Sequence, residues 1–579
     1  MPMPTPLLEE LLAFVLAEQQ AAQDHLLDIW HRPLAEKLEK GWTQGFTRLE
    51  LGPEPATLWA YVDHSDSRFR EGDLLLLHGG DPFNELLGRQ LSLEAEEEDR
   101  WLLRGRRVLA VLDTYAGGPC FADPDALDLT GHYVRAINDI ATTRHGRDTV
   151  LSLLSGTLEP SFDAQDFQDA ERLALAQGCN PRQAEAVGMA VAAEQVACIQ
   201  GPPGTGKTRV LALIAQMLVA RGARLLVSSH THTAINHALN KVHALGVPVV
   251  KVGWHAQRKG LDDAVPCVDT LNAWEQRPTD GYVVGATPFA AAGKRMENYH
   301  FDAILFDESS QITVPLALMA MCRGDRFIFI GDPQQLPPVL LSRSILAADT
   351  FSVFAALTAR TAEHTVMLDE TYRMNRWLAD WPSRTYYGGE LQAVGPNRER
   401  QLRLHPVVPR WAAVFDPAAS AVFIPTQDPA ARTRNPRDAN LVADLCAAAV
   451  AGGLAPADIG VVVPYRAQGR LVRQRLARRL GPAAARAVVA DTVERMQGQE
   501  RELIILSLTT GDPVFMQAVA GFLFQPQRLN VAITRAMTRL IVIGPEPADL
   551  PPPEDAALAR WMAQYDGFVG QCRRVAMQP

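Results

Sequence analysis

The sequence is short of cysteine and of long apolar runs. Its seven cysteines are scattered over 579 residues without a Cys-x-x-Cys pair, so neither a disulfide framework nor a zinc site is expected. No apolar run is long enough to span a bilayer. We therefore expect a protein of the reducing cytoplasm, with no zinc and no membrane partner.

Basic residues are also outnumbered. The chain has 56 Lys and Arg against 66 Asp and Glu, which gives a net charge of −10. This balance argues mildly against a nucleic-acid partner. However, physiological salt confines electrostatic fields to about 8 Å, so a local basic cleft on an acidic protein can still bind phosphates.

The first 165 residues show two patterns. Apolar residues at helical spacing predict a helix over 7–32, so 1–42 is expected to form a helical arm. Short apolar runs between Gly, Pro and Asp turns predict a small β-barrel accessory domain plus a helix over 43–165. The strand candidates are 46–51, 57–62, 73–77 and 107–112, and the helix is placed at 133–154.

Beyond residue 165, strand-like and helix-like segments alternate. This rhythm predicts an α/β fold with two parallel-sheet domains, 166–358 and 359–579, whose sites lie at the carboxyl ends of the strands. The first series of predicted strands is 196–200, 224–229, 247–252, 281–286, 303–307 and 326–330. The second series is 421–424, 459–463, 487–491, 503–508 and 540–544.

One glycine-rich loop carries the clearest chemistry. Residues 201–208 read Gly-Pro-Pro-Gly-Thr-Gly-Lys-Thr, between a strand-like run and an amphipathic helix. This spacing is typical of a P-loop, in which backbone N–H groups of residues such as Gly204, Thr205 and Gly206 surround a phosphate. Lys207 adds a positive charge, and the Thr208 hydroxyl can ligate Mg²⁺. The loop predicts ATP and Mg²⁺ as cofactors.

Two later strands end in polar residues that suit the same chemistry. Asp307 and Glu308 follow the apolar run 303–306. Asp307 is expected to hold Mg²⁺, and Glu308 to orient or deprotonate the attacking water. Gln335, in the Gly-Asp-Pro-Gln-Gln segment after the next strand, can reach a γ-phosphate.

The order of these segments resembles the superfamily 1 helicases. It is most similar to the 5′–3′ branch typified by the nonsense-mediated-decay RNA helicase and the immunoglobulin-μ-binding-type helicases. The resemblance covers about 180–544 and implies two tandem RecA-like domains of the P-loop NTPase class. It is carried, besides the P-loop and the acidic pair, by Asn180–Gln183, Leu368–Met374, Val463–Gln468, Thr492–Glu500 and Arg528–Ala536.

The resemblance implies roles for further residues at the nucleotide. Gln183 would read adenine, and Tyr372 would stack on it. Arg373 and Arg535, expected from the second domain, would act on the γ-phosphate as arginine fingers. Two more residues, Gly498 and Glu500, would lie near the ribose and the γ-phosphate.

The resemblance also implies where a strand of nucleic acid is contacted. Thr231 and His232 occupy the first strand-contact motif, where the family usually has a Pro-Ser-Asn run, so the role of His232 is in doubt. Thr287 and Thr492 are the other candidate phosphate donors. Hydroxyl contacts to phosphate read no bases, and no base-stacking residue is identified.

The leading hypothesis is an ATP-hydrolysing enzyme, an ATP-dependent helicase or translocase. We expect a monomer that moves 5′ to 3′ on single-stranded DNA or RNA, with DNA slightly favoured. An ATPase that remodels nucleoprotein complexes with little unwinding and an RNA helicase remain alternatives. A binding scaffold with an inactive ATP site is disfavoured, because the expected catalytic residues are all present.

Overall fold

The computed structural model describes residues 6–576 except 64–66, 70, 85–89, 98, 116, 118, 343–351 and 427. Within these residues, no helix is long and apolar enough to cross a membrane. Its seven cysteines are free.

The chain begins with a helical arm. Helices α1 (Pro6–His31) and α2 (Leu34–Glu39) match the prediction closely. Leu11, Phe14 and Val15 of α1 enter the core on one face of the first parallel sheet, together with Ile137 and Ile140. The arm is therefore packed on the first α/β domain.

A seven-stranded antiparallel sheet follows, in the order β1-β7-β4-β5-β6-β3-β2. The edge strands β1 and β2 are joined by Thr47 alone, so the sheet must curl until its edges meet, as in a barrel. Trp101 and its apolar neighbours fill the interior. The strands are β1 Gln44–Phe46, β2 Arg48–Leu51, β3 Thr57–Tyr61, β4 Leu74–His78, β5 Leu91–Glu96, β6 Arg100–Arg104 and β7 Cys120–Pro124.

Two predictions in this region are wrong. The expected strand 107–112 is helix α3 (Val108–Tyr115), which buries Val108, Val111 and Tyr115 at helical spacing and leaves Leu109 exposed. A run of consecutive apolar residues can form a strand or a helix. Here the segment forms a helix, because the closed barrel has no free edge where another strand could pair. The expected helix 133–154 is interrupted: α4 (Thr130–Thr142) is followed by a π-helical turn, Gly146–Leu151, and by α5 (Ser152–Ser155).

The first α/β domain contains an eight-stranded parallel sheet in the order β11-β10-β12-β9-β13-β14-β8-β15. All six predicted strands are present, and apolar cores cover both faces. The strands are β8 Val196–Gln200, β9 Arg224–Ser228, β10 Val249–Val252, β11 Cys267–Val268, β12 Tyr282–Gly285, β13 Ala303–Phe306, β14 Phe327–Gly331 and β15 Thr365–Met367. The helices are α6 Ala164–Ala176, α7 Pro181–Ala192, α8 Lys207–Ala220, α9 His232–His243, α10 Pro288–Ala292, α11 Val314–Met321 and α12 Val353–Thr358.

The second α/β domain repeats this design with a six-stranded parallel sheet, β20-β19-β21-β22-β18-β23. A short parallel pair, β16 (Glu370–Thr371) and β17 (Gln392–Ala393), connects the two domains. The strands are β18 Ala421–Pro425, β19 Ile459–Val463, β20 Val489–Thr492, β21 Arg501–Ser507, β22 Ala536–Gly544 and β23 Arg573–Arg574. The helices are α13 Arg376–Tyr386, α14 Pro436–Ala451, α15 Arg466–Leu480, α16 Pro482–Ala487, α17 Val493–Met496, α18 Pro513–Leu523, α19 Pro526–Ile533 and α20 Ala556–Gln571.

Two predicted domain boundaries need correction. The division at 358/359 is too early, because β15 pairs in parallel with β8 and belongs to the first sheet. The division at 165/166 falls inside α6, whose N-cap is Asp163. Neither segment carries a strong local signal, since β15 has only three residues and α6 follows a loop without a composition change.

Candidate active site

The glycine-rich loop connects β8 to α8, as its spacing predicts. Gly204 and Gly206 adopt φ values of +76° and +86°, which L side chains rarely adopt. A Cβ at Gly204 would lie only 2.4 Å from the Cβ of Arg373. The Lys207 ammonium donates to the carbonyl of Gly201. The loop thus opens at the N-terminus of α8, where backbone N–H groups favour an anion.

The acidic pair follows β13, which lies next to β14 in the sheet. Asp307 is buried, and its pKa is raised to about 7 because burial and the nearby Glu308 charge disfavour its ionised form, while the Lys207 ammonium opposes the rise. Glu308 has a φ of +51°, a strained left-handed conformation for a non-glycine residue. A buried carboxylate beside a second carboxylate suits a divalent cation. Asp307 and Thr208 offer the hard oxygen ligands that Mg²⁺ prefers.

Gln335 belongs to a buried chain of hydrogen bonds that crosses between the domains. Its Nε2 donates to Asp332 Oδ2 at 2.8 Å, and the Tyr387 hydroxyl donates to the same oxygen at 2.8 Å. Asn530 of α19 then donates to the Tyr387 hydroxyl at 2.8 Å and to the carbonyl of Gln334 at 2.8 Å. A movement of Gln335 would therefore change hydrogen bonds that involve residues of the second domain.

The two predicted arginines reach the site from different segments. Arg373 lies in the connector just after β16, not in the second sheet, because the neighbouring Tyr372 N–H donates to the P-loop carbonyl of Gly204 at 2.9 Å. Its guanidinium reaches the second domain, where it donates to Glu500 at 2.6 Å and to the carbonyl of Thr534 at 3.1 Å. Arg373 thus lies where the chain enters the second domain, because the adjacent Met374 is buried in that domain's core. That Arg373 acts from the second domain remains a prediction.

Arg535 comes from the second domain, as expected, directly before β22. It is 1% exposed and donates to the carbonyls of Val531 and Gln499 and to the Thr534 hydroxyl. Within the described residues it forms no ion pair with a carboxylate. Burial and the charge of Arg373 lower the pKa of Arg535 to about 9. An anion between the two arginines would relieve this repulsion.

Gln497 was not among the predicted site residues. Its Nε2 donates to Glu308 Oε2 at 3.1 Å, so the second domain touches the proposed water-activating carboxylate of the first. The signal was available, because Gln497 lies in the quoted segment Thr492–Glu500. Asn530 was likewise inside a quoted segment, whereas Tyr387 carries no sequence signal.

The residues predicted to contact adenine and ribose lie beside the loop, and they differ in how exposed they are to a ligand. Gln183 is buried, and its Nε2 donates to the carbonyl of Thr205 at 2.9 Å, so it braces the P-loop. The Tyr372 ring is 40% exposed, and its hydroxyl is held by Asn180 and Glu370. Two other predicted residues lie near the arginines: Glu500 pairs with Arg373, and Gly498 has a φ of +76°.

The predicted strand-contact residues lie at the carboxyl ends of their strands. Thr231 and Thr287 cap α9 and α10, where their Oγ1 atoms accept N–H bonds at 3.3 and 3.4 Å. A hydroxyl that accepts a cap bond still has its own hydrogen to donate. Thr492 is 3% exposed at the start of α17. Burial lowers the pKa of His232 to about 4, helped by the charges of Lys251 and Arg295.

Comparison with known proteins places this geometry in a family. Two family models, each described as an AAA domain, match residues 178–400 and 350–547. The mouse (Mus musculus) DNA replication ATP-dependent helicase/nuclease DNA2 is 28% identical over 402 residues, which are 64% of this chain and 37% of that protein. The DNA polymerase alpha-associated DNA helicase A of Schizosaccharomyces pombe is 26% identical over 449 residues, covering 67% of this chain and 65% of that protein.

A third relative is named for RNA biology. The Regulator of nonsense transcripts 1 homolog of Arabidopsis thaliana is 28% identical over 415 residues, 63% of this chain and 32% of that protein. The chain spans between 28% and 39% of the length of the helicase/nuclease relative above and its counterparts in other species. The matched segments contain the P-loop, the acidic pair and both arginines. The chain belongs to the superfamily 1 helicase family.

Proposed function

We propose that the chain is an ATP-dependent helicase or translocase that moves 5′ to 3′ along single-stranded nucleic acid, as a monomer in the cytoplasm. One observation carries the proposal most strongly. Arg535 of the second domain is buried, and no carboxylate among the described residues pairs with it. The charge of Arg373 lowers its pKa and that of Glu308 raises it, so both groups lie near its guanidinium. A buried unpaired guanidinium is costly, and the γ-phosphate of ATP would supply the missing anion.

The chemistry then follows from the positions of the side chains. Lys207 and the P-loop N–H groups hold the phosphates, and Glu308 orients or deprotonates the attacking water. Arg373 and Arg535 stabilise the charge that develops on the transferred phosphoryl group. Mg²⁺ would neutralise the phosphate oxygens when bound to Thr208 and Asp307.

Movement would arise because the same groups join the two domains. The Gln497–Glu308 bond and the Gln335–Asp332–Tyr387–Asn530 chain both cross the cleft. With ATP bound, both arginines add contacts across it. Hydrolysis removes the γ-phosphate that holds them there, so the cleft can open and close once per cycle.

DNA is the slightly favoured track. Two of the relatives above are named for DNA replication or as a DNA helicase, and one is named for nonsense transcripts. The side chain that would sense a ribose 2′-hydroxyl has no sequence signature. The nuclease in the name of the mouse protein is not part of this proposal.

The test is ATP hydrolysis with matched DNA and RNA oligonucleotides. We expect stimulation by single strands, and a loss of at least about 100-fold in kcat for Glu308→Gln. Unwinding of 5′-tailed duplexes should exceed that of 3′-tailed duplexes. A preference for 3′ tails would overturn the direction, and strand-stimulated hydrolysis without unwinding would favour the remodelling ATPase.

A further inference from the structure

An exposed tryptophan lies at the same edge of the first sheet as the predicted strand contacts. Trp254 comes two residues after β10 and is 57% exposed. In the sheet, β10 lies beside β12, and β12 beside β9. Because these strands are parallel, Thr231 after β9, Thr287 after β12 and Trp254 after β10 follow one another along one edge.

Two cations accompany this tryptophan. The guanidinium of Arg295 lies over the Trp254 ring, 5.0 Å from its centroid. Lys251 is 0% exposed, and its Nζ has no hydrogen-bond partner among the described residues. No carboxylate that the structure describes forms an ion pair with either cation.

His232 adds a second unsatisfied polar atom at this place. Its Nδ1 is buried and has no hydrogen-bond partner within the described residues, and the charges of Lys251 and Arg295 both lower its pKa. Burial also lowers the pKa of Lys251 to about 8. Buried polar groups are normally hydrogen-bonded, so this cluster is suited to an anionic ligand.

The loop that carries Trp254 is held firmly. Asn236 of α9 donates to the carbonyls of Gln257 and Lys259 at 2.9 and 3.1 Å. The backbone N–H of Trp254 donates to Gln257 Oε1 at 3.0 Å. The Lys259 ammonium reaches Glu71, beside the β-barrel, at 3.0 Å. The loop is therefore a fixed platform between the first sheet and the barrel.

We propose that Trp254, Arg295 and Lys251 form a subsite for one nucleotide of a single strand. The base stacks on Trp254, and the phosphate is bound by Arg295 and attracted by the buried charge of Lys251. Arg295 covers one face of the indole and leaves the other face for the base. Stacking of this kind tolerates any base. This inference rests on the proposed function and adds the base-stacking residue that the sequence did not reveal.

Trp377 offers a matched control on the second domain. It is 39% exposed, and Arg376 lies over its ring at 4.6 Å. Unlike Arg295, however, Arg376 is paired with Glu399 at 3.1 Å. Trp377→Ala therefore removes an exposed, arginine-covered tryptophan from a place where the neighbouring cation already has its counter-charge.

The test measures binding of 12-nucleotide thymidine, uridine and abasic oligomers by fluorescence anisotropy. Trp254→Ala should weaken thymidine or uridine binding about 5- to 150-fold, the range that follows from loss of one base-stacking aromatic. The same variant should change abasic binding by less than about twofold, because the phosphates remain. Trp377→Ala should bind all three oligomers like the parent protein.

Lys251→Met tests the phosphate contact separately. It should weaken binding to thymidine and abasic oligomers equally and reduce the slope of log K against log salt by roughly 0.7, as expected for one single-strand phosphate. If the parent protein binds none of the oligomers, the proposed function and the subsite both fail. If the parent binds but Trp254→Ala behaves like Trp377→Ala, or loses abasic binding equally, the subsite alone is wrong.

Discussion

Replacement of Arg535 by methionine should make the free protein more stable and nearly abolish its catalysis. Methionine keeps most of the apolar stem and removes the buried charge. In the free protein that charge is opposed by burial and by Arg373, with no carboxylate pair among the described residues. With ATP bound, the same charge would contact the γ-phosphate. The two effects of one substitution therefore have opposite signs.

The size of the stability gain can be estimated from the structure. The pKa of Arg535 is lowered from 12.5 to about 9. At about 1.4 kcal/mol per pKa unit, the buried charge destabilises the folded state by roughly 5 kcal/mol. The substitution also removes hydrogen bonds to Val531, Gln499 and Thr534, each worth about 1 kcal/mol. The net gain is about 2 kcal/mol, or about 4–8 °C in the Tm of a domain of this size.

The assay pairs thermal unfolding of the nucleotide-free protein with steady-state ATP hydrolysis. Arg539→Met is the control, because Arg539 is equally buried and lies on β22. It donates to the carbonyls of Val414 and Asp416, and burial lowers its pKa to about 10, partly offset by the charge of Asp416. The same arithmetic, about 3 kcal/mol against two hydrogen bonds of about 1 kcal/mol each, predicts a gain of about 1 kcal/mol. We expect Arg539→Met to raise Tm less than Arg535→Met does and to keep kcat, whereas Arg535→Met loses about 10³-fold or more in kcat.

Two outcomes would refute this reasoning. If Arg535→Met lowers the Tm of the free protein, Arg535 stabilises the fold and its charge is not opposed there by burial and Arg373. If Arg535→Met keeps kcat within about tenfold of the parent protein, it is not an arginine finger.

Two further predictions concern the loop and the second domain. Gly204→Ala should reduce ATP affinity at least tenfold in a fluorescent-nucleotide titration, because its Cβ would lie 2.4 Å from that of Arg373. Gly246→Ala, at a similar φ with no atom near, should leave affinity unchanged. Burial raises the pKa of Asp438 to about 7, so the contribution of this residue to stability should fall as pH rises from about 4 to 7, where the unfolded chain is ionised first. Asp438→Asn, which can still accept from Thr426, should therefore melt higher than wild type at pH 8 and converge with it toward pH 4; a constant difference across this range would contradict the assignment.

Much of the first α/β domain could be predicted locally. The strands β8, β9, β13 and β14 are continuous apolar runs bounded by glycine or polar residues, and each is buried on both faces. The P-loop could be read from spacing, because its phosphate cradle is built from consecutive residues. Helix α3 could not be predicted in this way, because its apolar run is equally compatible with a strand. Only packing against the barrel determines that it forms a helix with one face buried.

The missed parts are those in which distant segments meet. Strand β15 is only three residues long and is defined by its pairing with β8, more than 160 residues earlier. Gln497 reaches Glu308 from 189 positions away in the chain. In both cases, the sequence around one segment carries no sign that the other segment lies next to it.

The sequence by itself determined the α/β class and the order of most elements, and it predicted most of the candidate nucleotide-site residues. Spacing along one segment specifies these features, and the resemblance to a family rests on such segments. Only the tertiary structure decided that Arg373 links the P-loop to the second domain, and that Arg535 is buried without a carboxylate partner among the described residues. It also decided that Trp254 lies under Arg295 at the sheet edge of Thr231 and Thr287. The charge environment, burial and stacking of a side chain depend on which distant segments pack against it. The sequence around that side chain does not specify those segments.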